Sequence, residues 1–299
     1  MGNVRVAVIG YGNVGRSALA AVASAPDMDV AGVVRRRGMR PAGLVDDVPV
    51  VEDVTDLTAV DVAVLTVPTR MVREYAQKCL AAGICTVDSF DLHGEQTWKH
   101  LQDLERMGLK GGACAIIAAG WDPGTDSMVR AMMELVASRG ITHTTFGPGI
   151  SLGHSVVCRD VVGVRDAVSF TVPAGNGVHR REVYVELEEG ASPENVARQI
   201  RDDPYFVDDE TSITPVDDVG RLMDLGHGVS LQRRGASADA HNTLSRFEMR
   251  GTNPAMTAEV MVSAARAAGQ MEPGAYTLLE IPLLYLLPGE REDLVRRLV

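Results

Sequence analysis

Six consecutive residues, Gly10-Tyr11-Gly12-Asn13-Val14-Gly15, have the types and spacing to hold a pyrophosphate. They fit G-x-G-x-x-G between a β-rich apolar run at residues 4–9 and an alanine-rich stretch at 14–24. In that setting the first glycine permits a tight turn, the second lets the backbone approach a phosphate without an intervening Cβ, and the third lets helix and strand pack closely. The helix start offers free N–H groups and the positive end of the helix dipole to the anion. A ligand-free glycine-rich βα turn would use the same residues, but the strand before and the helix after favour dinucleotide binding. About 20 residues further on, an NAD site places Asp or Glu on the ribose 2′-hydroxyl. Here the second strand ends Val33-Val34-Arg35-Arg36-Arg37. Guanidinium groups pair with a 2′-phosphate that a carboxylate would repel, so the sequence favours NADP(H). A solvated basic loop is the competing reading, and which arginine meets the phosphate stays open. Pro68 and Thr69, just past the strand-like run at 60–66, complete the expected cofactor-binding set.

Three polar clusters stand where loops would face such a cofactor. Val87-Asp88-Ser89-Phe90-Asp91 lies just past a strand, at the end of a parallel sheet that lines the ligand crevice, and both Asp88 and Asp91 are candidates. In Gly120-Trp121-Asp122-Pro123-Gly124 the proline and glycine stiffen a turn that can aim Trp121 and Asp122, although Asp before Pro is also a common helix-start device. The stretch Phe146-Gly147-Pro148-Gly149-Ile150-Ser151-Leu152-Gly153-His154 reads as a glycine-rich loop able to bring backbone N–H groups to a carboxylate. Arg181, His227 and Asn253 are scattered, and spacing alone does not bring them together.

These groups need a scaffold. In the first 120 residues, strand-like runs at 4–9, 30–34, 60–66, 85–87 and 113–118 alternate with helical stretches at 14–24, 71–82 and 95–107, the pattern of a doubly wound parallel sheet. From Gly120 a helix candidate at 126–138 is followed by alternating segments at 141–146, 168–172, 183–187 and 242–249. Helices at 193–201, with Ser192 as N-cap, and at 256–268 complete the second half. The expectation is therefore an α/β chain: a Rossmann-type doubly wound sheet over residues 1–120, then an α+β substrate and dimerisation domain over 121–253 with a mixed or antiparallel sheet.

Charge and apolar patterning narrow the function classes. Lys+Arg is 29 against Asp+Glu 40, a net charge of −11, which disfavours general binding to a phosphate backbone. Apolar runs such as residues 60–67 fall short of the roughly 20 residues a membrane span requires. The N-terminus carries no signal-peptide pattern, so a cytoplasmic protein is expected. Cys79, Cys85, Cys114 and Cys158 form neither a CxxC pair nor a metal-ligand spacing, and read as buried reduced thiols with no metal.

Taken in order, GYGNVG, VRRR, VDSFD, GWDPG, FGPGISLGHS and GTNPAMTA closely resemble the meso-diaminopimelate D-dehydrogenase family, from about Arg5 to Pro282. The resemblance implies NADP-dependent, reversible oxidative deamination of the D-centre of meso-2,6-diaminopimelate. It places Asp91, Trp121 and Asp122 around the reacting centre, backbone of Leu152 and Gly153 on the adjacent carboxylate, and Phe146 as a wall of the pocket. It assigns Thr171, Arg181 and His227 to the distal carboxylate and Asn253 to the distal amino group, with Asp88 an alternative to Asp91. It further implies a homodimer and a final segment, about 254–299, folded back onto the nucleotide domain. A broader D-amino acid dehydrogenase, a related NADP reductase of amino-acid metabolism and a non-catalytic NADP-binding sensor are the alternatives.

Overall fold

A computed structural model of the chain describes residues 2–36, 44, 47–175, 178–223 and 226–299. The chain divides into two compact units, one of Met1–Met128 with Pro254–Val299 and the other of Val129–Asn253. In chain order the elements begin with β1 (Val4–Ile9), α1 (Asn13–Ser24), β2 (Met28–Val34), β3 (Val50–Val51), β4 (Val62–Leu65), α2 (Thr69–Ala81), β5 (Cys85–Asp88), α3 (Glu95–Gly111), β6 (Cys114–Ile117) and α4 (Thr125–Val136). There follow β7 (Arg139–Phe146), β8 (Gly149–Ile150), α5 (Leu152–Arg159), β9 (Val164–Gly175), β10 (Val178–Leu187), α6 (Pro193–Arg201), β11 (Glu210–Pro215), β12 (His227–Ser237) and β13 (Ala240–Gly251). The chain ends with α7 (Asn253–Ala268), β14 (Gly274–Thr277) and α8 (Arg291–Leu298).

The first unit is a parallel sheet of order β14-β6-β5-β4-β1-β2-β3. Its strands are near-continuous runs of Val, Ile and Ala because both faces are covered, which is how a parallel sheet reads in sequence. Successive residues of β1 feed opposite cores: Val6 and Val8 pack with α1 and with Ala258, Met261 and Val262 of α7, while Ala7 and Ile9 pack with Val72, Ala76 and Leu80 of α2 and Leu104 of α3. Arg266 of α7 holds Asp27 through both carboxylate oxygens, at 2.5 and 2.9 Å. The doubly wound fold expected from the sequence is what the chain forms. Strand β14, which adds in parallel to β6, was not among the strands read from the pattern.

The second unit holds a four-stranded sheet, β11-β10-β9-β8, and a three-stranded sheet, β13-β12-β7. All pairings are antiparallel except β10 with β11, and α6 supplies the crossover that a parallel pair requires. Helix α6 covers the expected residues 193–201, and the Ser192 hydroxyl accepts the Asn195 backbone N–H at 3.3 Å. The core beneath joins Cys158, Val183, Val185, Val196, Ile200 and Phe206. Among the described residues, no helix is long and apolar enough to cross a membrane.

Candidate active site

In the first unit the glycine turn links the carboxyl end of β1 to α1. Gly10 has φ +97°, and a Cβ there would lie 2.6 Å from the Thr66 carbonyl oxygen. A Cβ on Gly15 would lie 2.4 Å from the Gly10 carbonyl oxygen. Thr66 fastens the turn from the neighbouring strand, its hydroxyl within 3.0 Å of both the Ile9 and Gly10 carbonyl oxygens. Gly12 behaves differently. It stands at the N-cap of α1 without a side-chain cap, and a Cβ there would meet no protein atom within 4 Å. Packing explains Gly10 and Gly15. Gly12 instead leaves backbone and space open at the positive end of a helix, where an anion is stabilised.

A cleft of about 300 Å³ opens over this turn, lined by Gly10, Tyr11, Gly12, Arg35, Arg36 and Pro68 among others. Arg35 is tied through its backbone N–H to Val51 at 3.0 Å, and Arg36 reaches the Met71 sulfur at 3.6 Å. Both follow β2 directly, at the position where the ribose 2′ group of a bound dinucleotide is recognised. Arg37 lies outside the described residues. Asn13, Val14 and Gly15 open α1, with the Asn13 side chain accepting from Arg16 at 2.5 Å. Pro68 is the N-cap of α2 and Thr69 its first residue, so a second helix start borders the cleft. The cleft joins the open backbone of the glycine turn to two cationic side chains, a lining that suits the phosphates of a dinucleotide. Thr66, Met71 and Tyr75 also line it and were not singled out from the sequence, although Met71 and Tyr75 share a face of α2 at i, i+4 spacing.

The two carboxylates at the end of β5 separate cleanly. Asp88 is 1% exposed. Its Oδ1 accepts backbone N–H groups of Phe90 at 2.9 Å and Ala118 at 3.2 Å, and its Oδ2 lies 3.0 Å from His100 Nε2. It fastens the ends of β5 and β6 together, and His100 stacks on Phe90 with ring centroids 4.1 Å apart. Asp91 is instead anchored at its Oδ1 by the Thr69 hydroxyl at 2.5 Å. Trp121 is buried, and its carbonyl oxygen accepts from Thr125 Oγ1 and the Asp126 N–H, both at 3.1 Å. Helix α4 begins at Thr125, and Asp126 receives the Gly124 N–H at 3.2 Å. Asp122 is therefore outside the helix-start position that was its plain structural reading.

In the second unit the stretch from Phe146 is not the open loop expected. Gly149–Ile150 form β8, and Leu152 and Gly153 are the first two residues of α5 behind Ser151 as N-cap. The two residues singled out for their backbone thus stand in a helix first turn, where N–H groups lack intrahelical partners. Thr171 on β9 faces Arg181 on β10 in antiparallel register and also faces Gly149 on β8. The Thr171 hydroxyl accepts from Arg181 Nη1, and Asp209 Oδ2 accepts from Arg181 Nε at 2.6 Å. His227 sits behind Gly149, where a Cβ would lie 2.8 Å from its Nδ1. The fold therefore joins Thr171, Arg181 and His227, while Asn253 opens α7.

Three imidazoles gather around Arg181. Burial, and after it the charge of Arg181, hold His154 down to about 4. Burial and then Arg181 lower His179, which accepts the Phe146 backbone N–H at 2.7 Å through Nε2. Burial likewise lowers His227. These rings stay neutral and leave Arg181 the positive centre of the cluster. Asp209 and His179 were not found from the sequence, and His154 entered only as the end of the glycine-rich stretch. His179 and Arg181 did carry a signal, since alternate strand residues share a face.

Comparison with known proteins bears on both units. The profile of the oxidoreductase family with an NAD-binding Rossmann fold matches residues 4–87, and that of the diaminopimelic acid dehydrogenase C-terminal domain matches residues 120–250. The chain is 50% identical to the meso-diaminopimelate D-dehydrogenase of Bacteroides fragilis, covering 100% of both, and 32% identical to that of Corynebacterium glutamicum, covering 99% of both. The solved C. glutamicum diaminopimelate dehydrogenase in complex with diaminopimelate superposes with a TM-score of 0.88, at 31% identity and covering 100% of both chains. An engineered D-amino acid dehydrogenase bound to NADP+ gives a TM-score of 0.83 at 29% identity, covering 99% of this chain and 100% of that one.

Proposed function

The chain belongs to the meso-diaminopimelate D-dehydrogenase family, and on that premise we propose that it deaminates the D-centre of meso-2,6-diaminopimelate oxidatively and reversibly, with NADP. Water is consumed, and the products are L-2-amino-6-oxopimelate, ammonia, NADPH and a proton. The observation that carries the assignment of the substrate's ends is Arg181, a guanidinium held by Thr171 next to a neutral, buried His227. It suits a carboxylate distant from the reacting carbon. Asn253 meets the distal amino group, backbone of Leu152 and Gly153 meets the carboxylate of the D-centre, and Phe146 shapes the pocket.

When bound, the dinucleotide supplies hydride-acceptor chemistry that no side chain provides. The protein's part is positioning and proton handling. Gly10 to Gly15 receive the pyrophosphate, and Arg35 and Arg36 receive the 2′-phosphate, with Pro68 and Thr69 at the cleft edge. Hydride loss requires a neutral amine, so Asp91 or Asp122 takes a proton from the substrate ammonium, directly or through water. Asp88 already accepts from two backbone N–H groups and lies against His100, which favours Asp91 or Asp122 over it for that role. Trp121 packs against the reacting centre. Holding the substrate at both ends leaves one orientation in which the D-carbon is presented, which is the source of stereoselectivity. We assign the protein a homodimeric state and a cytoplasmic location.

The test is the appearance of NADPH absorbance with meso-diaminopimelate, run beside the L,L-isomer and D-alanine and repeated with NAD. Rapid reduction with the meso compound and NADP is expected. Comparable turnover of D-alanine would move the reading to a broad D-amino acid dehydrogenase. Silence with every amino acid would leave a nucleotide-binding protein.

A further inference from the structure

We propose that Asp209 is a positioning residue for Arg181, fixing its guanidinium so that the terminal edge of the fork meets the distal carboxylate of the substrate. The inference deepens the function proposed above and rests on it. Strand pairing fixes the Cα of Arg181 opposite Thr171, but it leaves a long side chain with many rotamers. Two contacts from different elements remove that freedom. Thr171 Oγ1 accepts from Nη1, and Asp209 Oδ2 accepts from Nε at 2.6 Å. Neither bond uses Nη2, and each terminal nitrogen carries two N–H donors, so the outer edge keeps donors for a planar carboxylate.

The placement of Asp209 is built into the fold. Strand β11 runs parallel to β10 with Thr211 opposite Arg181, and Asp209 lies two residues before Thr211. The ion pair is sheltered, with the side chains 15% and 27% exposed, so it is not one of the loose surface pairs that contribute little. Asp209 also balances the charge of Arg181. The amino-acid end of the substrate is a zwitterion without net charge, so a fixed array of donors serves it better than an unbalanced, mobile cation.

The experiment measures kcat and KM of the full-length enzyme for meso-diaminopimelate and for NADP, in the wild type and in Asp209→Ala, Asp209→Asn, Asp209→Glu and Arg181→Ala. Asp209→Ala is expected to raise KM for diaminopimelate about tenfold, the scale of one lost charged hydrogen bond. KM for NADP and the thermal midpoint stay near those of the wild type, and Asp209→Glu recovers part of the loss. Should Asp209→Ala fail to fold, Asp209→Asn is read in the same way. An unchanged KM in the Asp209 variants beside a raised one in Arg181→Ala overturns this inference alone. A lowered KM in Asp209→Ala overturns it too, since Asp209 would then be a rival of the substrate for Arg181. An unchanged KM in Arg181→Ala overturns the distal-carboxylate reading, and the role of Asp209 falls with it.

Discussion

The two units build their proposed binding groups by different means. In the first, six consecutive residues turn a strand into a helix, and the proposed pyrophosphate site is mostly backbone: the N–H groups at the start of α1 and the open face over Gly12. In the second, the proposed distal-carboxylate site is made of side chains from β9, β10, β12 and the segment before β11; strand register aligns Thr171, Arg181 and Asp209, and packing behind Gly149 of β8 adds His227. A backbone site is written locally and tolerates few changes in its glycines. A side-chain site is written in scattered residues, each of which reads as ordinary until the sheet is formed.

The largest expected effect breaks the first arrangement. Gly15→Ala drives a Cβ to 2.4 Å from the Gly10 carbonyl oxygen, and it should lower stability by about 2–3 kcal/mol, the upper part of the range for overpacking, as read by denaturant unfolding. Gly12→Ala is the contrasting case. It meets no protein atom within 4 Å, so the fold should keep its stability to within about 0.5 kcal/mol while NADP binding, followed by titration, weakens at least about tenfold. Equal losses of stability in both variants would erase the distinction between a packing glycine and a ligand-facing one.

A somewhat smaller effect tests the second arrangement. Arg181→Ala should reduce kcat/KM for meso-diaminopimelate by an amount equivalent to about 2 kcal/mol, the scale of a lost hydrogen bond to a charged group. Steady-state kinetics at saturating NADP provide the check, and unaltered kinetics would remove Arg181 from the site.

The smallest effect concerns pH. His154 is held at about 4 in the fold against an ordinary value of 6.5, chiefly by burial. Between those values the unfolded chain binds a proton that the native ring refuses, so stability is complete above about 6.5 and declines as pH falls towards 4. His179 and His227 are lowered in the same direction and contribute to the same window. His154→Gln should therefore flatten, without abolishing, the fall in thermal midpoint over that interval. An unchanged slope would show that the ring titrates alike in both states.

Much of the architecture was legible because parallel strands buried on both faces are long apolar runs, and because Ala-rich crossover helices keep a 3.6-residue period. Strand β1 and helix α6 fall on their expected residues. Strand β14 escaped notice because Gly274–Thr277 is four residues with a mixed composition, and it becomes a strand by adding to an edge already formed by β6. The stretch 146–154 reads as a loop on its glycines and proline, yet β8 is stabilised by pairing with β9, and α5 follows it at once. Asp88 and Asp91 look equivalent in sequence. Only the approach of the Ala118 N–H and of His100 makes the first a structural fastener.

The sequence by itself determined the glycine turn and the arginines after β2, since each is carried by neighbouring residues whose geometry follows from glycine freedom, helix dipoles and charge, and it determined the family through short motifs spread along the chain. The tertiary structure decided which of the distant polar residues share a cluster. It joined Asp209 to Arg181, set His154, His179 and His227 around that guanidinium, and tied Asp88 to backbone N–H groups. Those contacts depend on strand register and on burial, and both are properties of the packed chain with no local signature in the order of its residues.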